Sequence, residues 1–471
     1  MFLRKPQWDY YLLRFSAFLR RLFMENNRIN VKNALLHGDL FTKLSAVLMG
    51  IGMIGHKQVT KGCIVFLFEI AFIFYMLSTG IHSLSMMPSL GDRAQEKIWN
   101  EAKQIYEYTA GDNSQQILLA GVVTCFVIAA IIVLWVLQLR FSYKLQLQLK
   151  EKGSVPTFKE DIISLFDKNL HITLMTLPCL GILVFNIVPL VYMISMAFTT
   201  YSKEDEHLML FDWDGLHQFQ RVLNMNGNIG RQFWHVLGWT IVWAIFATFL
   251  NYILGMILAM VINRKDTKWK GLWRFCFILS IAVPQFVTLM IMNIMLQPSG
   301  AINVLLQNLG LITSPLPFWQ NAMWARITII VINIWIGIPY TMLQITGILQ
   351  NIPSELYEAA KMDGAGPVKI FFKITLPYML FVTTPYLISS FVGNINNFGV
   401  IYLLSGGGPT YVGDTAGQTD LLVTWLYKLT VDQQYYNLGA VIGIMTFVIL
   451  TIVTLVTYRN SGSYKNEEAF M

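Results

Sequence analysis

Two groups of polar residues interrupt an otherwise oily chain, and each has a spacing that could do chemistry. Ser390, Asn394 and Asn397 recur at i, i+4 and i+7, which predicts that they share one helix face. Asparagine offers both a donor and an acceptor. In "WIGIPY", Trp335 to Tyr340, a proline loosens one turn, and Tyr340 supplies a ring for the apolar face of a pyranose plus a hydroxyl at its edge. This mixture suits a neutral, hydroxyl-rich solute. An anion would call for basic groups, and none of the 34 Lys and Arg falls inside an expected span. The same polar groups could equally hydrogen-bond helix to helix, and spacing alone leaves the two readings level.

The second group is "ELYEAAKMDGAGPVKIFFKITLP", Glu355 to Pro377. Pro353 suits a helix start, and Glu355 and Glu358 suit the positive N-terminal end of a helix over about Ser354 to Met362. Asp363-Gly364-Ala365-Gly366-Pro367 then breaks it, because glycine reaches left-handed dihedrals and proline restarts a helix. A second short piece is expected to run to Pro377, with Ile370, Phe371, Ile374 and Leu376 on its apolar side and Lys369 and Lys373 at water. Ala359 and Ala360 keep the bend slim enough to enter another protein's groove.

Other chemistries lack their residues. The seven histidines have no i, i+4 pair, and Cys63, Cys125, Cys179 and Cys276 have neither metal-ligand nor disulfide spacing, so no metal and no cofactor is expected. No G-x-x-x-x-G-K-[ST] loop is present, and Gly406-Gly407-Gly408-Pro409 lacks the following lysine; any ATP hydrolysis must happen on a partner. A membrane enzyme would need acidic residues gathered at one face. Glu204-Asp205-Glu206 with Asp212 and Asp214 comes nearest, and reads as a solvated loop. An ion-coupled transporter would need titratable groups along its path, yet Glu69, in the first span, is the one ionisable residue well inside any span. A helix-to-helix hydrogen bond is the simpler role for it.

The elements that must position these groups are membrane helices. Of 471 residues 55% are hydrophobic and 13% charged, with a mean hydropathy of +0.52, beyond what a soluble domain exposes. Eight stretches reach the length of roughly 20 apolar residues that a crossing needs: 62–82, 117–139, 173–198, 236–262, 275–296, 327–349, 378–398 and 438–458. With both termini and the 350–377 segment on the cytoplasmic side, most of the 34 Lys and Arg fall there. The net charge of +7 is then an orientation signal, with no nucleic acid implied. No cleavable signal peptide is expected, because a basic, aromatic arm precedes any apolar run. In that arm "WDYYLLRFSAFLRRLF" has the period of an interfacial helix or of one packed on the protein, and "SAVLMGIGMIG", Ser45 to Gly55, is too short to cross and reads as re-entrant or interfacial. The expected division is 1–60, a basic cytoplasmic or interfacial region; 61–172, two accessory spans; 173–459, a core; and 460–471, a tail.

Glu358-Ala359-Ala360, Asp363-Gly364-Ala365, Phe372, Ile374, Leu376 and Pro377 resemble the coupling loop of ABC importer permeases at every consensus position. From about Thr173 to Tyr458 the chain is similar to the larger membrane subunit of maltose and maltodextrin importers, through "WIGIPY", "SFVGNINNF", "LLSGGGP" and "TDLLVTWLYK" in order. That resemblance implies an all-α membrane protein with a six-helix type I importer core. It implies that Glu358, Ala359, Ala360, Asp363, Gly364 and Ala365 engage an ATPase, and that Ile336, Gly337, Tyr340, Ser390, Gly393, Asn394 and Asn397 contact sugar. The implied partners are a second, similar permease subunit, two cytosolic ATPase subunits, an extracellular sugar-binding lipoprotein, an oligosaccharide and bacterial membrane lipid. Two departures stand out. Gly393 replaces the aromatic residue of enterobacterial relatives, and the 199–234 connection is short where those relatives insert a folded domain. Maltodextrin is the expected sugar, with raffinose-type or galactan-derived oligosaccharides next.

Overall fold

The computed structural model describes residues 29–101, 103–109, 111–204, 208–264 and 266–460. The expected interfacial helix of the arm, Asp205, Glu206 and the 461–471 tail lie outside the described residues. The chain forms two compact units: one of residues up to Ser195 with Met209–Trp213, the other of Met196–Leu208 and everything from Asp214 onward. Residues 173–195, expected in the core, therefore group with the first unit.

In the first unit, α1 (Val31–His37), α2 (Leu40–Leu44) and α3 (Ile51–Gly55) lead into the long helices α4 (Val59–Met86), α5 (Ser114–Lys152) and, after α6 (Phe158–Phe166), α7 (Leu170–Met196). An antiparallel hairpin, β1 (Lys97–Asn100) with β2 (Ile105–Tyr108), joins α4 to α5; the sequence reading has no strands. Residues 45–50 are irregular, and backbone in an apolar setting needs partners. The Gln138 side chain accepts from Ser45 Oγ at 2.5 Å and donates to Ser45 O at 2.7 Å. Trp135 donates to Ala46 O at 2.9 Å. Glu69 accepts from the Met49 backbone N–H at 2.8 Å. Glu69 therefore holds a non-helical turn in place, a backbone variant of the helix-to-helix role. Gly50 has φ +86°, and a Cβ there would lie 2.2 Å from Gly62 O, so the turn presses on α4 through two glycines.

The second unit contains α8 (His217–Leu223), α9 (Asn228–Asn263), α10 (Lys270–Ala282), α11 (Gln285–Met295), α12 (Ala301–Asn308), α13 (Ala322–Gln350), α14 (Ser354–Met362), α15 (Pro367–Ile395), α16 (Phe398–Ser405), α17 (Leu422–Tyr427) and α18 (Tyr436–Asn460). Among the described residues seven helices are long and apolar enough to cross a membrane, or eight if α10 and α11, bent by 83° at a short break, count as one span. Seven of the eight expected spans appear as such helices. The fifth differs in being broken at Val283-Pro284, where a proline without an N–H cannot continue the helix. The core is layered along α9 and α13: Trp239, Trp243, Leu289, Ile329 and Leu404 at one end, Tyr252, Met256, Met342, Ile345 and Met379 at the other.

Two expectations around the polar groups change. The piece after Gly366 is not a separate short helix; it widens by one turn at 371–375 and continues as α15. Helix α15 ends at Ile395, so Asn397 does not share a helix face with Ser390 and Asn394. Instead it caps α16, accepting from Val400 N at 3.2 Å. Asparagine favours such caps because its side chain replaces a missing helical partner.

Candidate functional site

Four elements enclose a cavity of about 700 Å³: the middle of α9, the break between α10 and α11, the proline turn of α13, and the second half of α15. Each wall follows from local sequence. Pro339, inside α13, removes the donor that would meet the Trp335 carbonyl one turn back. The α10–α11 break turns Ala282, Val283 and Gln285 toward the cavity. Interrupted helices of this kind are tolerated in membranes where they line a cavity.

Ile336, Gly337, Tyr340, Ser390 and Asn394 line this cavity together. Gly393 and Asn397 do not. Gly393 is exposed, and a Cβ built on it meets nothing within 4 Å, so the position has room for the aromatic side chain it lacks. Tyr340 is 54% exposed and its ring is available to a ligand. Asn394 donates from Nδ2 to Thr248 Oγ1 at 3.0 Å, and its carbonyl accepts from Trp243 Nε1 at 3.0 Å. It thus packs helix to helix and lines the cavity at once.

The opposite wall is absent from the sequence reading: Thr248 and Asn251 of α9, Gln285 and Thr288 of α11, and Asn333 of α13. Asn251 donates to Ala247 O at 2.8 Å while its Oδ1 is buried with no partner, and Asn333 Nδ2 is likewise unpaired. Buried polar atoms left this way await a ligand's groups or water. The asparagines recur on faces that the apolar periodicity hides, and the break at Pro284 was the available signal. No residue lining the cavity is charged.

At the far end of α13 and α15, the α14 bend is open. Glu358, Ala359, Asp363 and Gly364 are exposed, Ala360 and Ala365 half-buried. Gly364 has φ +73°, a conformation that glycine adopts without strain, and Pro367 opens α15. Tyr357 Oη lies 3.1 Å from Thr375 Oγ1, and Ile352, Tyr357, Phe371 and Leu376 belong to the core cluster beneath. The bend is therefore fixed to two long helices, and Met362 at its tip is 88% exposed.

At the other end the 405–421 loop is held tightly. Gln232 Oε1 accepts from Thr415 N, Thr415 Oγ1 and Ala416 N. The buried Asp420 accepts from Gly417 N at 2.7 Å, Thr424 Oγ1 at 2.8 Å and Lys428 Nζ at 2.6 Å. The motif residues of "LLSGGGP" and "TDLLVTWLYK" thus form one hydrogen-bonded structure tied to α9 through Gln232, Trp239 and Thr240.

These helices, with a broken pair and a cavity between them, make an all-α fold of the membrane-embedded type. Residues 251–462 match the family described as "Binding-protein-dependent transport system inner membrane component". The chain is 34% identical over 434 residues to the galactooligosaccharides transport system permease protein GanP of Bacillus subtilis, covering 90% of this chain and 98% of that protein. It is 33% identical over 437 residues to the maltodextrin transport system permease protein MdxF of the same organism, covering 90% and 96%. The chain belongs to this family of ABC importer permeases. The maltose/maltodextrin permease protein MalF of Klebsiella aerogenes is 38% identical over 254 residues, covering 52% of this chain and 48% of that one. A crystal structure of a bacterial ABC transporter that imports alginate has a similar fold, with TM-score 0.50 and 22% identity over 64% of this chain and 98% of that one.

Proposed function

We propose that this chain is the membrane subunit through which an ATP-driven importer passes a neutral oligosaccharide of the maltodextrin type across a bacterial cell membrane, with both termini and the α14 bend in the cytoplasm. The observation that carries this reading is the cavity: about 700 Å³, uncharged, with a tyrosine ring on one side and hydroxyl- and amide-bearing side chains around it. A sugar ring offers an apolar face to Tyr340 and a rim of hydroxyls to Ser390, Asn394, Asn251 and Asn333. Gly393 and Asn397, which stand beyond this cavity, act where the pathway continues. The exposed α14 bend, with Glu358, Ala359, Ala360, Asp363, Gly364 and Ala365, enters a cleft on one of two cytosolic ATPase subunits, and its attachment to α13 and α15 carries their motion to the walls of the cavity. A second, similar permease subunit completes the pathway, and an extracellular sugar-binding lipoprotein delivers the solute.

A galactooligosaccharide cargo is the second reading, favoured by the 34% identity to a permease of that name. A few pocket side chains separate such substrates, each worth about 1–3 kcal/mol. Uptake of labelled maltotriose, raffinose and galactotriose by cells with and without the gene decides among them. Loss of maltotriose uptake alone is expected. Unchanged uptake of all three would remove the proposal.

A further inference from the structure

A second cavity, of about 770 Å³, lies between the outer halves of α9 and α13, separate from the sugar cavity. Its walls are hydrocarbon: Val242, Phe246, Ile327, Ile330 and Val331 among them. At its upper rim stand Arg326 and His235. Arg326 stands one residue before the expected 327–349 span and one turn inside α13, which starts earlier, at Ala322. Its Nε donates to Gln418 O at 3.0 Å, its Nη2 is 3.2 Å from His235 Nε2, and its guanidinium sits 4.8 Å over the Trp239 ring. Nearby carboxylates are engaged elsewhere, Asp420 with Lys428 and Asp414 toward Arg231, and among the described residues Arg326 forms no ion pair. A half-buried cation without an anion at the head of an apolar trough has the complementary shape of an amphiphile.

We propose that this trough binds an anionic phospholipid in the leaflet farther from the α14 bend, with the phosphate at Arg326 and one acyl chain lying along α9 and α13. The length agrees. From Arg326, where the phosphate sits, to Ile334 the trough runs about 12 Å along α13, within the about 15 Å depth of one leaflet of a hydrocarbon core roughly 30 Å thick. A sugar would strand its hydroxyls against hydrocarbon here. An apolar helix from another subunit would cover the trough yet leave the guanidinium without its anion. A phosphate satisfies the charge through bidentate hydrogen bonds, and the chain fills the rest.

The test uses the full chain purified in detergent and incubated with phosphatidylglycerol, phosphatidylcholine or inorganic phosphate, with retained lipid counted by native mass spectrometry. The wild-type chain is expected to retain phosphatidylglycerol in preference to phosphatidylcholine. Arg326→Gln should cut that retention about fivefold and abolish the headgroup preference, while Arg326→Lys keeps most of it. Val331 is 57% exposed, so Val331→Trp fills the trough without touching the core, and should lower retention of both lipids. Should Arg326→Gln fail to fold, Val331→Trp decides alone. Equal retention by wild type and these variants would overturn the proposal. So would displacement of lipid by millimolar inorganic phosphate, which marks a free-anion site, or a cross-link from Val331→Cys to a second permease subunit in the intact transporter.

Discussion

Gly337 of α13 lies directly against Asn251 of α9: a Cβ at Gly337 would fall 2.5 Å from Asn251 Nδ2 and 2.8 Å from its Oδ1. The glycine lets an unpaired amide oxygen sit at the wall of the cavity of about 700 Å³. Gly337→Ala must push the Asn251 side chain aside, against its hydrogen bond to Ala247 O. The expected result is a loss of sugar uptake of tenfold or more with normal membrane insertion. Binding and transport by Gly337→Ala at wild-type levels would show that the contact yields freely.

Asn394 faces the cavity while donating to Thr248. Asn394→Ala removes one hydrogen bond to a neutral sugar, worth about 0.5–1.5 kcal/mol. Half-saturating sugar concentration should rise by about 2–12-fold, the same energy expressed as a ratio, with maximal ATP hydrolysis by the assembled transporter little changed. Thr248 lines the cavity too, so the two roles are separated by a second readout: a lowered unfolding temperature of Asn394→Ala with an unchanged half-saturating sugar concentration would return Asn394 to helix packing.

Much of this arrangement was legible in the sequence because membrane helices are fixed by composition and proline placement. Seven of the eight spans and the bend at Asp363–Pro367 appear where the apolar runs and breakers put them. What escaped has a physical reason. An apolar run such as 275–296 reads as one span whether or not Val283-Pro284 turns it by 83°, because hydropathy does not record direction. Asn397 at i+7 from Ser390 reads as facing the cavity only while the helix continues. Its end at Ile395 depends on Asn397 capping the next helix, and that is decided by tertiary packing. The polar wall of Asn251, Asn333 and Gln285 comes from three elements far apart in the chain, which no single-window periodicity can assemble.

The Asp420–Lys428 pair holds the 405–421 loop with a carboxylate that has no exposed surface. Lys428→Met leaves that charge buried without its partner, a change that typically costs about 3–5 kcal/mol. A lowered unfolding temperature in detergent is expected, with Asp420→Asn on the same background restoring part of it. An unaltered unfolding temperature in Lys428→Met would show that Thr424 and the Gly417 N–H suffice.

The most direct test of force entering through the α14 bend is ATP hydrolysis and sugar uptake by the reconstituted transporter carrying Glu358→Lys. Glu358 is exposed and outside every core cluster, so the substitution leaves folding and insertion intact. The account predicts that sugar-stimulated hydrolysis and uptake both disappear while the solitary ATPase subunits keep their basal rate. Wild-type uptake by Glu358→Lys would contradict it.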